Sequence, residues 1–290
     1  MITEIVAILS GFALLVWAAD RFVLGAAALA TNLGVSTLVV GLTVLGFGTS
    51  APEILVSSMA AIDGNAGLAI GNAIGSNITN ISLILGVTAL VMPLRVASRT
   101  LMREYPLLLA ISLLSLILLL DQELGRLDGT ILIVLLVAVL YLMYRIAKQG
   151  ADETLAEEII AEMPPPMKTG NDLIIGLTIV AIGTSLPELA ASIASALKNE
   201  ADLAIGNVLG SNIFNILAVL AVPGLVAPGA IATGILTRDM PVMLALTLAI
   251  AGVAYSRRGM HEIARSDGML LLAAFVAYQG WILWSVLGNA

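Results

Sequence analysis

The 290-residue chain has no cysteine and a single histidine, His261, and only 11% of its residues are charged. Without cysteine there are no disulfides, thiolate nucleophiles or thiolate metal sites. With one histidine in a basic loop, no apolar segment can hold a serine–histidine couple. A soluble domain would carry about 25% charged residues. The scarcity here accompanies a hydrophobic fraction of 59% and a mean hydropathy of +1.04, which mark a polytopic membrane protein. The net charge of −7 arises mainly in one stretch after residue 150, so it says little about partners and gives no sign of nucleic-acid binding. Met1 to Trp17 lacks the basic start and small-residue cleavage site of a signal peptide and reads as a retained first span.

A membrane-crossing helix needs roughly 20 mainly apolar residues. Nine such spans are expected, at about Thr3 to Ala30, Ser36 to Ile62, Ala66 to Met92, Leu101 to Leu120, Gly129 to Ala147, Leu173 to Leu197, Ala201 to Val226, Met240 to Tyr255 and Gly268 to Leu287. Between Lys148 and Asn171 the chain turns hydrophilic: Asp152, Glu153, Glu157, Glu158 and Glu162 precede Pro164 to Pro166. A short helix stopped by the prolines is expected there. Its acidity fits a solvated face better than a cation-collecting or regulatory surface. The chain thus divides into a first transmembrane repeat (1–148), an acidic inter-repeat loop (149–171) and a second transmembrane repeat (172–290).

The division rests on a stretch that occurs twice. Gly41-Leu-Thr-Val-Leu-Gly-Phe-Gly-Thr-Ser-Ala-Pro-Glu53 leads into Gly71-Asn-Ala-Ile-Gly-Ser-Asn-Ile-Thr-Asn80. The same pattern runs from Gly176 to Glu188 and from Gly206 to Asn215, always 135 positions later and without a gap. The identities are polar or small residues within apolar helices. Glycine and proline in the middle of helices, at matching places in two halves, point to a transporter's central site.

An ionised carboxylate in hydrocarbon is unfavourable by at least about 2.5 to 3.5 kcal/mol, so Glu53 and Glu188 need a reason to be there. Each follows Thr-Ser-x-Pro: Thr49, Ser50 and Pro52 in the first copy, Thr184, Ser185 and Pro187 in the second. Proline removes a backbone N–H and frees carbonyls in the preceding turn, near Gly46 and Ala181, which is tolerable where a cavity or ligand meets them. Ser76 and Asn80 are four residues apart and share a helix face; Ser211 and Asn215 repeat them. Hydroxyls, carbonyls and carboxylates are all oxygen ligands, the kind that calcium takes in sets of six to eight at about 2.3 to 2.6 Å. Two carboxylates match one divalent cation or compete for monovalent ones, and alternating occupation is what an exchanger requires.

Orientation and repeat length disagree with nine spans in the same way. Arg95, Arg99 and Arg103, then Arg145 and Lys148, then Arg257, Arg258 and Arg265 form three basic clusters that should share the cytoplasmic side. With the N-terminus outside, strict alternation through nine spans puts the third cluster outside. The first copy is preceded by a full helix containing Asp20 and Arg21; the second is preceded by only Pro165 to Asn171. One helix of about 25 to 35 residues is missing against the repeat, a length that would span a bilayer. The two copies would then enter the membrane from the same side.

Gly-Thr-Ser-x-Pro-Glu followed by Gly-Asn-x-x-Gly-Ser-Asn-Ile-x-Asn, twice, resembles the α-repeats of the calcium/cation antiporter superfamily, nearest its prokaryotic sodium/calcium exchangers. The resemblance implies an all-α membrane protein of ten helices in two inverted-topology repeats, nine of them visible here, with the first helix of the second repeat absent. It implies no cofactor, with calcium and sodium as transported ions. Glu53 and Glu188 would be shared calcium carboxylates, and Thr49, Ser50, Ser76, Thr184, Ser185 and Ser211 hydroxyl or carbonyl ligands. The carbonyls of Gly46 and Ala181 would serve peripheral sodium sites, and Asn215, aspartate in some relatives, points to potassium independence. The first helix of each repeat would slide to alternate access.

Simpler roles stand beside these. Gly71, Gly75, Gly206 and Gly210 suit close helix packing, and Asn77 and Asn212 could brace helices as well as bind ions. Asp20 and Arg21 fit a satisfied pair, and Trp17, Trp281 and Trp284 fit interface anchors. The expected function is sodium-for-calcium antiport in a prokaryotic plasma membrane, with the acidic loop cytoplasmic. Its rivals are proton/calcium antiport and, in another class, a cation-binding membrane protein that does not transport. An enzyme is not expected.

Overall fold

The computed structural model describes residues 17, 20–29, 32, 37–96, 104–149, 186–232, 234–256 and 262–287. They form nine helices and four two-residue strands. Helix α1 covers residues 20–29. Helix α2 opens at Thr37–Val40, passes through a π turn at Gly41–Leu45 and continues as Gly46–Ile62. Helix α3 runs through Ala66–Thr79, a π turn at Asn80–Ile84, and Leu85–Val91. There follow β1 (Leu94–Arg95), α4 (Glu104–Leu119), β2 (Glu123–Leu124) and α5 (Arg126–Gln149). The second half has α6 (Leu186–Leu197), α7 (Ala201–Phe214, a π turn at Asn215–Val219, and Ala221–Val226) and β3 (Gly229–Ala230). It ends with α8 (π turn Ile235–Asp239, then Met240–Ser256), β4 (Glu262–Ile263) and α9 (Arg265–Leu287).

Among the described residues, five helices are long and apolar enough to cross a membrane, and their burial sorts them. Over its most apolar stretch α7 is 89% buried and α3 67%, whereas α5 is 22% and α8 39%. Helices α2, α3, α6 and α7 therefore form the centre. The outer helices turn large apolar side chains such as Ile117, Val134, Val137, Leu248 and Val276 outward, as lipid contact requires. The expected spans match these helices to within a few residues where they are described; most of the first span before Asp20 and the sixth from Leu173 to Ser185 lie outside the described residues, as do the acidic loop and His261.

The strands show how the halves are related. β1 pairs antiparallel with β4, and β2 with β3. Since β1 and β2 lie at opposite ends of α4, the two pairs occupy opposite membrane faces. Each joins one half's loop after its third helix to the other half's loop between its last two helices, the pattern of a two-fold axis lying in the membrane plane. The halves are thus inverted, and the expectation that both copies enter from the same side is corrected. Arg95 and Arg265 flank the β1–β4 face, and the C-terminal end of α5, with Arg145, returns to it. Arg95, Arg145 and Arg265, one from each basic cluster, share one side, which removes the parity conflict for the described residues.

A second repeated motif anchors these loops. Glu123-Leu-Gly-Arg-Leu-Asp-Gly129 returns as Glu262-Ile-Ala-Arg-Ser-Asp-Gly268, now 139 positions later, which is why a search at 135 passes over it. The Asp128 carboxylate accepts the Gly125 N–H at 2.7 Å and Asp267 accepts that of Ala264 at 2.8 Å, each satisfying an orphan donor at a helix start. A Cβ on Gly129 would lie 2.9 Å from the Ala221 carbonyl oxygen, and one on Gly268 would lie 2.6 Å from that of Gly86, so both crossings require glycine.

The small-residue expectation holds where α2 meets α7. A Cβ on Gly46 would lie 2.8 Å from the backbone of Gly210, and one on Gly41 would lie 3.1 Å from Gly206, so α2 and α7 touch backbone to backbone. Around Gly71 and Gly75 a Cβ would meet nothing within 4 Å. The positions that would face them by the repeat, Gly176 and Ala181, lie outside the described residues. Helix α1 adds a further asymmetry. Its Phe22, Val23, Ala26 and Ala27 cluster with Ala191 and Leu203 of the second half, all buried. Their first-half equivalents Val56 and Leu68 are 37% and 54% exposed, and among the described residues no helix covers them as α1 covers the second half. Asp20 ion-pairs with Lys198 at 2.6 Å while Arg21 lies over the Trp17 ring, so these two charges are satisfied separately and not by each other.

Candidate functional site

Helix α2 continues through Pro52, which cannot donate to the carbonyl four residues back, and the next residue is Glu53. Pro187 stands in the first turn of α6, ahead of Glu188. Both glutamates are 0% exposed, as are Thr49, Ser50, Ser211 and Asn215; Asn80 is 1% and Ser76 6% exposed. The two carboxylates are within electrostatic reach of one another, with Thr49 beside Glu188. None of their four oxygens has a hydrogen-bond partner among the described residues. Two buried negative groups left bare next to each other would destabilise the fold by several kcal/mol unless a positive charge joins them.

Neutral oxygens near the axis are also unused. Ser50 Oγ, Asn77 Oδ1, Asn80 Oδ1 and Asn215 Oδ1 are buried without hydrogen-bond partners among the described residues. Asn80 and Asn215 each open a π turn, the local widening that often marks a functional position in a helix. Among the described residues no three acidic or histidine side chains converge, so a cation held by the glutamates would draw its other ligands from such neutral oxygens.

Contacts between the halves tie several expected residues together. Thr49 Oγ1 is 2.9 Å from Ser211 Oγ, 3.0 Å from the Leu45 carbonyl and 3.2 Å from Asn207 Oδ1. It has one hydrogen to give, so when that goes to Leu45 or Asn207 the Ser211 hydroxyl must be the donor to Thr49. Ser211 also reaches the Gly46 carbonyl at 3.5 Å. At the axis Asn77 Nδ2 donates to the Asn212 carbonyl at 3.3 Å and Asn80 Nδ2 to Asn212 Oδ1 at 3.1 Å. Asn77 and Asn212 therefore brace the crossing of α3 and α7, the structural role open to them from sequence. Thr184, Ser185 and Ala181 lie outside the described residues.

Two residues absent from the expected site stand against it. Asn72 Nδ2 donates to the Glu53 carbonyl at 3.1 Å and to Ser57 Oγ at 3.0 Å. Asn207 Nδ2 donates to the Glu188 carbonyl at 3.2 Å and to Ser192 Oγ at 2.9 Å. The signal was present in the sequence: Asn72, Ser76 and Asn80 are spaced by four, as are Asn207, Ser211 and Asn215, so each polar stripe begins one turn earlier than the pair of oxygen ligands.

Comparison with known proteins agrees with this arrangement. The profile of the sodium/calcium exchanger protein family matches residues 3–145 and 169–284, the second block being 116 residues against 143. A protein of Alkalimonas amylolytica assigned as an antiporter, CaxA, is 44% identical over 98% of this chain and 100% of its own length. That alignment runs to 319 positions against 290 residues here, so the relative carries at least 29 positions that this chain does not match. The inner membrane protein YrbG of Escherichia coli is 37% identical over 94% of this chain and 95% of its own. A structure of the sodium-calcium exchanger NCX_Mj, soaked with 2.5 mM Na+ and 10 mM Sr2+, superposes with a TM-score of 0.79 at 30% identity, covering 96% of this chain and 98% of that one. The chain is a multi-pass membrane protein, and the family its sequence matches is one of exchangers. It belongs to the sodium/calcium exchanger protein family.

Proposed function

We propose that the chain is a secondary-active antiporter of a prokaryotic plasma membrane that exchanges sodium for calcium. One observation carries this reading: Glu53 and Glu188, one from each inverted half, are fully buried, and among the described residues their carboxylate oxygens have no hydrogen-bond partner. A divalent cation neutralises both at once; sodium ions at overlapping positions would displace it, and exclusive occupancy would couple the fluxes. Gly46, Thr49, Ser50, Ser76, Asn80, Ala181, Thr184, Ser185, Ser211 and Asn215 are assigned as the surrounding oxygen donors. The relatives that cover nearly all of this chain include the sodium/calcium exchanger MaX1 of Methanosarcina acetivorans, 29% identical over 93% of it. By the positive-inside rule the face bearing Arg95, Arg145 and Arg265 is cytoplasmic.

A second reading, proton/calcium antiport, draws on the same carboxylates. Among the described residues no basic side chain pairs with either, and a proton is the other small counter-charge available to them. Calcium-45 uptake into proteoliposomes separates the two. An outward sodium gradient should drive uptake while a pH gradient alone should not, and the reverse result would install the proton. Calcium binding with no flux under either gradient would identify a binding protein that does not transport.

A further inference from the structure

We propose that Asn72 and Asn207 are positioning residues that set where the two carboxylates stand, and thereby which cation fits between them. The proposal rests on the exchanger reading and adds to it two residues that bear no ligand atom of their own.

The geometry is duplicated. In each half the asparagine lies on the helix after the glutamate's, and its side-chain amide gives one hydrogen to the glutamate's own backbone carbonyl and the other to a serine one turn further on. Ser57 passes the connection on, donating to the Ala69 carbonyl at 3.2 Å. The glutamate is thus held from behind, through its main chain, while both carboxylate oxygens stay unused. A proline precedes each glutamate and deprives that turn of a main-chain hydrogen bond, so an external tie is needed where the helix is weakest. Asparagine suits the task because its amide has two donors at fixed separation and no charge to compete with the ion.

Asn207 does more than its counterpart. Its Oδ1 is an acceptor for Thr49 of the opposite half, at 3.2 Å. When the Thr49 hydrogen points to Asn207 and Ser211 donates to one lone pair of the Thr49 hydroxyl, the other lone pair is left for a cation. One side chain therefore fixes the Glu188 backbone and the orientation of a hydroxyl across the axis. The corresponding partner for Asn72 would be Thr184, which lies outside the described residues.

Partners behind a metal ligand typically govern affinity by 10- to 100-fold, and selectivity among hard cations depends on how rigidly the oxygens are spaced. The test is equilibrium binding of calcium-45 and of barium to the purified full-length chain in detergent, for wild type, Asn72→Ala and Asn207→Ala. Each variant should bind calcium about tenfold or more weakly, and the preference for calcium over the larger barium should fall at least about threefold, because loosened carboxylates accommodate the larger ion. A role in stability alone would lower both affinities by the same factor. That outcome, or unchanged affinities, overturns the proposal while leaving the exchanger reading in place. If either alanine variant is not monodisperse, Ser57→Ala and Ser192→Ala, which remove the second anchor of each amide, take its place: a lowered calcium-to-barium ratio supports the brace and an unchanged one removes it. A wild-type chain that binds neither cation removes the exchanger reading and the proposal with it.

Discussion

Thr49 of the first half and Ser211 of the second share a hydrogen bond of 2.9 Å although 162 positions separate them. Both are fully buried, and the pair bridges the helix that carries Glu53 and the helix that braces Glu188. Thr49→Ala or Ser211→Ala should each weaken calcium binding about five- to tenfold, each removing one oxygen ligand and unsettling the other. Since the two share one bond, the double variant should lose less than the product of the single losses. Independent, multiplicative losses in a binding titration would show that they act at separate places.

Glu53→Gln and Glu188→Gln should each reduce sodium-driven calcium-45 flux at least about 100-fold, to the level of empty liposomes, because a neutral amide cannot balance a divalent charge in a low-dielectric centre. Wild-type flux from both variants would refute the assigned site.

The close approach of α2 and α7 makes a contrast between equivalent glycines. Gly46→Ala would force its Cβ to within 2.8 Å of the Gly210 backbone and should lower stability by about 1 to 3 kcal/mol. Gly71→Ala meets nothing within 4 Å and should be neutral or stabilise by up to about 1 kcal/mol through helix propensity. Thermal unfolding in detergent measures both.

Asp128→Ala and Asp267→Ala each leave a helix-start N–H without its acceptor, Gly125 in one case and Ala264 in the other. Each should cost about 1 kcal/mol, and because the two caps lie at opposite membrane faces the effects should add. A double variant well short of the sum would place the two caps close together.

The inverted arrangement can be checked chemically because the chain has no cysteine of its own. Arg95→Cys and Glu123→Cys, introduced singly, should react with an impermeant maleimide from opposite sides of the membrane. Arg95→Cys combined with Glu262→Cys, which are register partners, should cross-link. Labelling of both single variants from the same side would exclude the two-fold relation.

Much of this architecture could be read beforehand because duplication at a constant offset of 135 turns single residues into pairs, and a buried acid that recurs beside proline is hard to explain by packing. Glu53, Thr49 and Ser76 were found that way. Asn72 and Asn207 recur equally well, but their work is done on main-chain carbonyls, and nothing in a residue's identity says which backbone atom it will meet. The Gly125 and Ala264 turns escaped because four added residues shift the offset to 139. The shorter second half predicts entry from the same side, but the inversion is set by helix crossings and strand pairs, and these the described residues retain. The difference between the exposed Val56 and the covered Ala191 could not be seen while both were treated as equivalent members of a repeat.

The paired strands at the two membrane surfaces have a mechanical consequence. Each pair buttons one half to the other, one at each membrane rim, so the outer helices make a hoop fastened at both edges. A hoop of that kind cannot widen to admit an ion without tearing a button. Any passage to the buried acids must therefore open within a perimeter of fixed circumference, by parts that shift relative to it and return.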